Sequence, residues 1–511
     1  MTSTTTRPKL DSPVSQLPPE ILIRIFQVLV NDTLRCRDGP QSNAIACGRQ
    51  SPCGPYAWIR VSHVCQQWRA VCLACPLLWS SITITHRIDL MQAMLERSRK
   101  VPLDVRSSAG TGCFLSRPFP MKSLRLVLSE LHRICSVRLA LNWWMYDDIV
   151  GLLESPAPCL RTFHLSTPNG GYDGGLRCPI VSVGNQEEPP QLEALYLNCY
   201  TFPWSDPLPF RTLKSLEIDN RGLRKPSIEE VAYTLGHMPF LVNLSLYGVL
   251  YGGTTQLLAR ARSDVIKLDT LEQLTLSGDG LACSTLLKLL SFPSTTSIQL
   301  DFTSDKHADP LTSFLDAVGL KLLPTKLNHL HLTHGPVCML SFQEKASEPR
   351  LRLLIPSQAD HLEMVCRHVQ LVDSSTLHMT PYADISHWPS LFRHFESLTT
   401  LNLTAWQPTD VPDLLTTGIE RVEADHLGTD GVGESSNAEG TPYVIFPSLH
   451  MLQLNNINFD GMARELWDAL RARNECQLAL DRLLLWNCRG LDEEDIVSLR
   501  QVVRELVIPV F

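Results

Sequence analysis

Three short stretches hold residue types whose spacing could carry chemistry. "HLHLTH" brings His329, His331 and His334 together, with His329 and His331 on one face of a strand. Imidazoles in that arrangement suit a metal ion, but a further ligand is needed. Cys36, Cys47, Cys53, Cys65, Cys72 and Cys75 gather near the N-terminus, yet only Cys72-x-x-Cys75 has ligand spacing, and it falls in an apolar helical stretch. "DEED" at 492–495 places carboxylates at a helix start, where the dipole favours them without any acid–base role. "GDG" at 278–280 lacks the third glycine of a dinucleotide loop, and neither G-x-x-x-x-G-K-[ST] nor H-E-x-x-H occurs. No nucleophilic triad is recognisable. The expectation is a chain with no metal, no cofactor and no catalytic residues, whose chemistry lies in its surfaces.

Composition narrows what those surfaces meet. The chain has 511 residues, 44% apolar and 19% charged, with a net charge of −8. Mild acidity argues against a nucleic-acid backbone as partner. The basic clusters Arg97, Arg99, Lys100 and Arg221, Arg224, Lys225 are short and read as solvated faces. No apolar run approaches the ~18 residues of a membrane helix. The stretch "MTSTTTRPKLDSPVSQ" carries Asp11, and no cleavage site of small residues follows the apolar run after it, so no export signal is expected. Sixteen cysteines then read as free thiols in a reducing compartment, cytoplasmic or nuclear.

The elements that would position such surfaces repeat. L-x-x-L-x-L recurs from Leu160, Leu192, Leu213, Leu241, Leu271, Leu327, Leu398, Leu449 and Leu480. Weaker copies start at Met121, Ile134, Thr295 and Ala359, and "WSSITI" from Trp79 reads as the first. The last two apolar positions alternate, which is strand spacing with one face buried. Turn formers follow, and helical spacing appears at 227–238, 284–290 and 460–473. A strand, a turn and a helix per unit predict an α/β solenoid whose units bury their apolar faces by stacking. Over residues 120–511 the pattern resembles the leucine-rich repeat family in degenerate form. Tyr200, Val249, Asp279 and Trp406 stand where that family places Asn or Cys. The final unit is similar to its cysteine subtype, which implies that Cys488 bonds loop backbone while Leu491, Ile496 and Leu499 pack inward. Successive phrases start 21 residues apart at Leu192 and Leu213 but 51 apart at Leu398 and Leu449, so an irregular arc or horseshoe is expected. Two insertions, 166–190 and 423–441, read as mobile loops.

The N-terminal stretch "LPPEILIRIFQVLV" predicts a helix that opens on Pro18 and Pro19, with Glu20 at its positive end. Its best apolar stripe is Ile21, Leu22, Ile25, Phe26 and Leu29, while Ile23, Val28 and Val30 lie off it. That is more apolar surface than one internal contact covers. Further on, Val61, Val64, Cys65 and Trp68 fall on one helical face, Val71, Cys72 and Cys75 continue it, and Pro76 ends it. The two stretches together resemble an F-box, the small three-helix module of substrate adaptors in SCF-type ubiquitin ligases. The family's Leu-Pro pair falls on Leu17 and Pro18, its acid on Glu20, and its first-helix apolars on Ile21, Leu22, Ile25 and Phe26. Its V-C-x-x-W-R signature falls on Val64, Cys65, Trp68 and Arg69, and its Pro-Trp pattern on Pro76 and Trp79.

The resemblance implies a tail at 1–14, an F-box at 15–82 carrying an insertion at 31–57, and a repeat domain at 83–511. It implies docking onto the linker subunit of the ligase, and through it a cullin, with a protein substrate bound for ubiquitin-dependent degradation. The substrate would lie on the concave strand face, where Glu193, Tyr196, Glu217, Gln273, Thr275, His329, His331, Asn402, Gln453 and Trp486 are exposed. A scaffold acting outside any ligase stays open. The Lys-poor, Pro- and Leu-rich style is similar to fungal members of the family.

Overall fold

The structure is a computed structural model. It describes residues 17–38, 55–107, 120–167, 176–179, 191–204, 210–220, 225–250, 265–302, 315–316, 329–333, 337–343, 350–356, 361, 364–365, 375–380, 392, 395–416 and 445–509. The expected tail at 1–14 and the loop at 423–441 lie outside these residues, as does most of 166–190. The class is α/β with a mostly parallel sheet, as expected. The chain forms two compact units, Met1–Arg224 and Lys225–Phe511.

The first unit opens with α1 (Pro19–Asp38), a 3₁₀ turn at Ala57–His63, α2 (Gln66–Ala74) and a second 3₁₀ turn at Pro76–Trp79. Helix α1 outruns its apolar stretch and enters the supposed insertion, ending at Asp38. Among the described residues, six strands of the main sheet follow: β1 (Ser81–Ile84), β2 (Leu103–Ser107), β3 (Ile134–Ala140), β4 (Thr162–Ser166), β5 (Ala194–Asn198) and β6 (Ser215–Asp219). All pair in parallel, in chain order. Parallel neighbours need crossovers, supplied here by α3 (Ile88–Ser98), α4 (Met121–Leu128) and α5 (Tyr146–Leu153).

Side chains tie the first helices to strand β1. The Tyr56 hydroxyl donates to the Thr83 carbonyl at 2.6 Å and accepts its N–H at 2.9 Å. Trp58 meets Trp79 edge-on at 5.2 Å, and the Arg97 guanidinium of α3 lies 4.3 Å over Trp79.

The second unit carries α6 (Ile228–Gly236), β7 (Asn243–Leu250), β8 (Gln273–Gly278), α7 (Gly280–Leu289) and β9 (Ser297–Asp301). It continues with β10 (His329–Thr333), β11 (Val337–Gln343), β12 (Leu351–Pro356), β13 (Thr376–Thr380) and β14 (Thr400–Thr404). Then come α8 (Asp410–Thr416), β15 (Met451–Asn455), α9 (Ala463–Glu475), β16 (Arg482–Trp486), α10 (Glu493–Val502) and β17 (Glu505–Val507). Its ladder departs from simple repetition. Strand β9 pairs with β12, which runs antiparallel to β11, which runs antiparallel to β10, and β10 resumes parallel pairing with β13. A three-strand meander thus enters the sheet in reversed chain order. Strand β10 ends at Thr333 and β11 begins at Val337, too close in the chain for a parallel crossover.

Every one of the nine clean L-x-x-L-x-L copies becomes a strand that begins two residues after its first leucine. Along β4, β5, β6, β13 and β15, half-exposed residues alternate with buried ones, the pattern of a strand covered on one face. The copies from Thr295 and Trp79 also give strands, and Ile134 begins β3. Two weak copies do not. "MKSLRL" is helix α4, because Leu124, Val127 and Leu128 satisfy helical spacing equally well and pack inward. The copy from Ala359 is helical at residues 361, 364 and 365.

Several turns after strands share one device. Cys199, Ala405, Asn456 and Asn487 each follow a five-residue strand and have φ between 51° and 63°. This left-handed residue turns the chain off the ladder at the same point each time. The N–H of Cys199, Ala405 and Asn456 donates to the last carbonyl of the next strand, at 2.9–3.0 Å. Threonines close the other end: Thr212, Thr270 and Thr296 hydroxyls donate to the carbonyls of Leu192, Leu241 and Leu271 at 2.7–2.8 Å.

Candidate functional site

Two surfaces collect exposed groups that their own folds do not require. The first is on α1. Pro19 occupies the first turn, where its missing N–H costs nothing, and the Pro18 carbonyl accepts from Ile21 and Leu22 at 3.1 and 3.2 Å. The anticipated stripe splits lengthwise. Leu22, Phe26 and Val30 are buried, at i, i+4 and i+8. Ile21, Ile25, Val28 and Leu29, at i, i+4, i+7 and i+8, keep 38–56% of their surface exposed. Phe26 packs on Trp68 of α2 with ring centroids 5.1 Å apart.

Residues 61–68 are not one helix face. Cys65 is extended (φ −156°) and caps α2, its sulfur accepting the Trp68 N–H at 3.4 Å. The break leaves Val64 and Cys65 exposed, with Trp68 half-buried and Arg69 exposed. Of the expected docking residues, Leu22 and Phe26 are therefore internal: their side chains hold α1 to its own module. Leu17 is half-buried, and Pro18 and Glu20 are exposed. Leu73 and Leu77, which motif spacing did not single out, are exposed as well. The apolar run "VCLACPLLW" holds both. Trp79 is buried and donates from Nε1 to the Cys72 carbonyl at 2.8 Å. Burial, reinforced by Cys75, pushes the Cys72 thiol up to about 11. These two cysteines serve the core, and among the described residues no cluster of three or more His, Cys, Asp or Glu could hold a metal ion.

The second surface is the uncovered side of the strands. In the first unit, Arg106, Arg138, His164, Tyr196 and Glu217 stand in register on five adjacent strands, while Thr83 of β1, in the same row, is buried. Arg106 pairs with Asp104 at 2.7 Å, and Arg138 is exposed. His164 and Tyr196 stack at 3.8 Å. Burial, with Arg138 nearby, lowers His164 to about 4, so its ring is neutral at pH 7. Burial first and Asp219 second raise the Glu217 carboxyl. In the next register row Asn198 donates to Asp219 at 3.3 Å.

In the second unit the equivalent row reads Ser245, Thr275, Gln299, Arg352, Ser341, His331, His378, Asn402, Gln453 and Leu484. It is almost neutral, and within it Ser341 and Asn402 are buried, Asn402 against the expectation that it is exposed. Amides bond to one another across β14 and β15: Asn455 donates to Asn402 and Thr404, and Gln453 donates to Asn455 at 3.0 Å. His331 meets His378 at 6.0 Å, and burial lowers His331. Trp486, paired in register with Asn455, is exposed. Among the other residues read for chemistry, Asp492 and Asp495 form a capping box on α10, and Gly278 and Asp279 turn β8 into α7. A side chain on Gly278 would meet the Leu250 carbonyl at 2.6 Å. Cys488 donates to the Leu454 carbonyl at 3.4 Å, and Leu499 is buried, while Leu491 and Ile496 are half-buried.

Among the described residues no helix is long and apolar enough to cross a membrane. No protein-family model matches the chain, and no curated protein matches it.

Proposed function

We propose that this chain is the substrate-recognition adaptor of an SCF-type ubiquitin ligase, cytoplasmic or nuclear, with no catalytic step of its own. In this reading the α1–α2 module is a three-helix F-box, and the strand–turn units that follow are degenerate leucine-rich repeats. The exposed stripe of α1 docks on the ligase's linker subunit, which in turn binds a cullin, and an open strand face takes a protein substrate. One observation carries the proposal: Ile21, Ile25, Val28 and Leu29 hold 38–56% exposure in a single helical stripe, next to the Leu-Pro and Val-Cys-x-x-Trp-Arg signatures. Apolar surface gathered on one side of a small module marks a protein interface. The recurring left-handed turns and the Cys488 bond to loop backbone support the repeat reading.

The test is co-purification of the full-length chain with the linker subunit and cullin, wild type against Ile25→Asp with Leu29→Asp. Recovery of both subunits by the wild type, and a loss of tenfold or more in the variant with unchanged melting, is expected. Equal recovery by both chains overturns the reading. Recovery of the linker subunit without cullin assigns the chain to a scaffold role outside ubiquitin transfer.

A further inference from the structure

The second unit ends on a strand that its own chain leaves half-covered. Leu330, Leu377, Leu401, Leu452, Leu483 and Leu506 stand in register on β10, β13, β14, β15, β16 and β17. The first five are fully buried, but Leu506 is only half-buried. The Glu505 N–H donates to the Asp481 carbonyl at 2.9 Å, toward β16. Successive residues of a strand bond to opposite sides, so the N–H and C=O of Leu506 point along the other edge. Among the described residues, β17 pairs with β16 alone. The first strand of the first unit is treated differently: there the Tyr56 hydroxyl takes up both backbone groups of Thr83. An edge left unpaired is a template for another strand.

The helix before this strand, α10, buries Leu499 and Val502. On its other side Glu493, Val497 and Arg500 are exposed, and their spacing of four and three sets them on one stripe. Glu494 is exposed next to Glu493, and Arg504, just past the helix, pairs with Asp481 at 2.8 Å while its side chain stays 79% exposed. Glu493, Glu494 and Arg500 form no ion pair among the described residues. The stripe is acidic at its start, apolar at Val497 and basic at its end. Turned end for end, that order is its own complement. We propose that the partner at this end of the unit is a second copy of the chain. About a two-fold axis near Leu506 and Val497, β17 pairs antiparallel with its counterpart, and Glu493 and Glu494 of each copy face Arg500 of the other. Within one chain α9 packs on α10 while β16 pairs with β17, so a further strand beside β17 brings a further helix beside α10. The two Leu506 side chains then cover one another, and Val497 meets Val497, the self-matching that a two-fold contact requires. A nucleic acid fits poorly, because the glutamates oppose phosphate. An unrelated strand would use the edge of β17 but not the charge order of α10.

This inference does not rest on the ligase reading. Sedimentation velocity of the full-length chain across micromolar concentrations tests it. The wild type should pass from monomer to dimer. Arg500→Glu, and separately Glu493→Arg with Glu494→Arg, should each weaken the dimer about tenfold or more, because each sets like charges across the axis. Mixing these two variants should restore a dimer, since each then carries the charge that the other lacks. Hydrogen exchange at residues 505–508 should slow as the wild-type dimer fills. Circular dichroism checks that each variant folds. Should a charge reversal fail that check, Val497→Gln takes its place, with the same weakening expected, because glutamine suits the helix but not an apolar contact at the axis. A wild type that stays monomeric, a dimer equally strong in every variant, charge variants that do not recover on mixing, or unchanged exchange at 505–508 would each overturn the proposal.

Discussion

Helix α1 and the open strand row of the first unit both expose side chains in register, but by opposite logic. Along β4 and β5, period-two alternation sends apolar side chains inward and leaves His164 and Tyr196 half-exposed. Along α1 the residues on both sides of the dividing line are apolar: Leu22, Phe26 and Val30 inside, Ile21, Ile25, Val28 and Leu29 outside. A strand's unburied face is polar by default in water, so its chemistry must be read residue by residue. A helix whose outer stripe is as oily as its inner one departs from the amphipathic norm, and the departure itself is the signal.

The sharpest way to break this comparison is to truncate across the line within α1. Phe26 is fully buried against Trp68, so Phe26→Ala should cost about 3–5 kcal/mol. Ile25, one residue away and 41% exposed, should cost under about 1 kcal/mol as Ile25→Ala. Chemical denaturation of the full chain followed by tryptophan fluorescence reads both. Similar losses from the two would mean that the stripe is interior after all. The same contrast should hold within one strand of the second unit. Leu276→Ala, at a buried position of β8, should cost about 3 kcal/mol, and its neighbour Thr275→Ala no more than about 0.5 kcal/mol.

The stacked pair on the open row adds a pH signature that α1 cannot have. His164 titrates at about 4 when folded against a usual 6.5, with burial as the leading cause. Between those values the unfolded chain binds the proton more readily. Stability is therefore unaffected by this residue above about pH 6.5 and declines as pH falls toward 4. The part due to His164 should be of order 3 kcal/mol across that window. His164→Gln should flatten the stability profile by that amount, measured by denaturation at several pH values. An unchanged slope would show that the ring is more hydrated than its stacking implies.

Most strands were legible because a six-residue phrase encodes both the burial of its first leucine and the alternation of its last two. Where legibility failed, the physics was ambiguous or silent. "MKSLRL" fits helical and strand spacing alike, and the tertiary context chose α4. Strand β13 lacks the phrase because Ser374 stands where its first leucine would be, and no phrase announces the antiparallel strand β11. On α1 the stripe was readable as a whole, but its division was not. Which of Ile21 and Leu22 faces inward depends on where Trp68 lands, and Cys65 decides that by breaking the helix before it. The Cys65 cap is invisible in a pattern that treats cysteine only as an apolar residue.

Helix capping gives a smaller effect. Ser227 caps α6 in a reciprocal pair with Glu230, with the Glu230 N–H donating to Ser227 at 3.2 Å and the Ser227 N–H donating to Glu230 at 2.9 Å. Ser227→Ala should cost about 1 kcal/mol. Helix α1 opens instead on prolines and has no comparable bond to lose, so Pro18→Ala should cost less than Ser227→Ala in the same denaturation assay.

The smallest stability effect is expected where the interface reading is strongest. Val28 is 56% exposed at the middle of the outer stripe, and glutamine is the better helix former of the two. Val28→Gln should therefore leave unfolding free energy within about 0.5 kcal/mol of wild type, or raise it slightly. What it should change is association, because an apolar stripe facing water draws chains together. Light scattering of the isolated chain at rising concentration should show less self-association for Val28→Gln than for wild type. A substitution that costs stability without altering association would place Val28 in the interior and remove the distinction between the two sides of α1. One that alters association at no cost in stability leaves the stripe as surface held in reserve for another subunit.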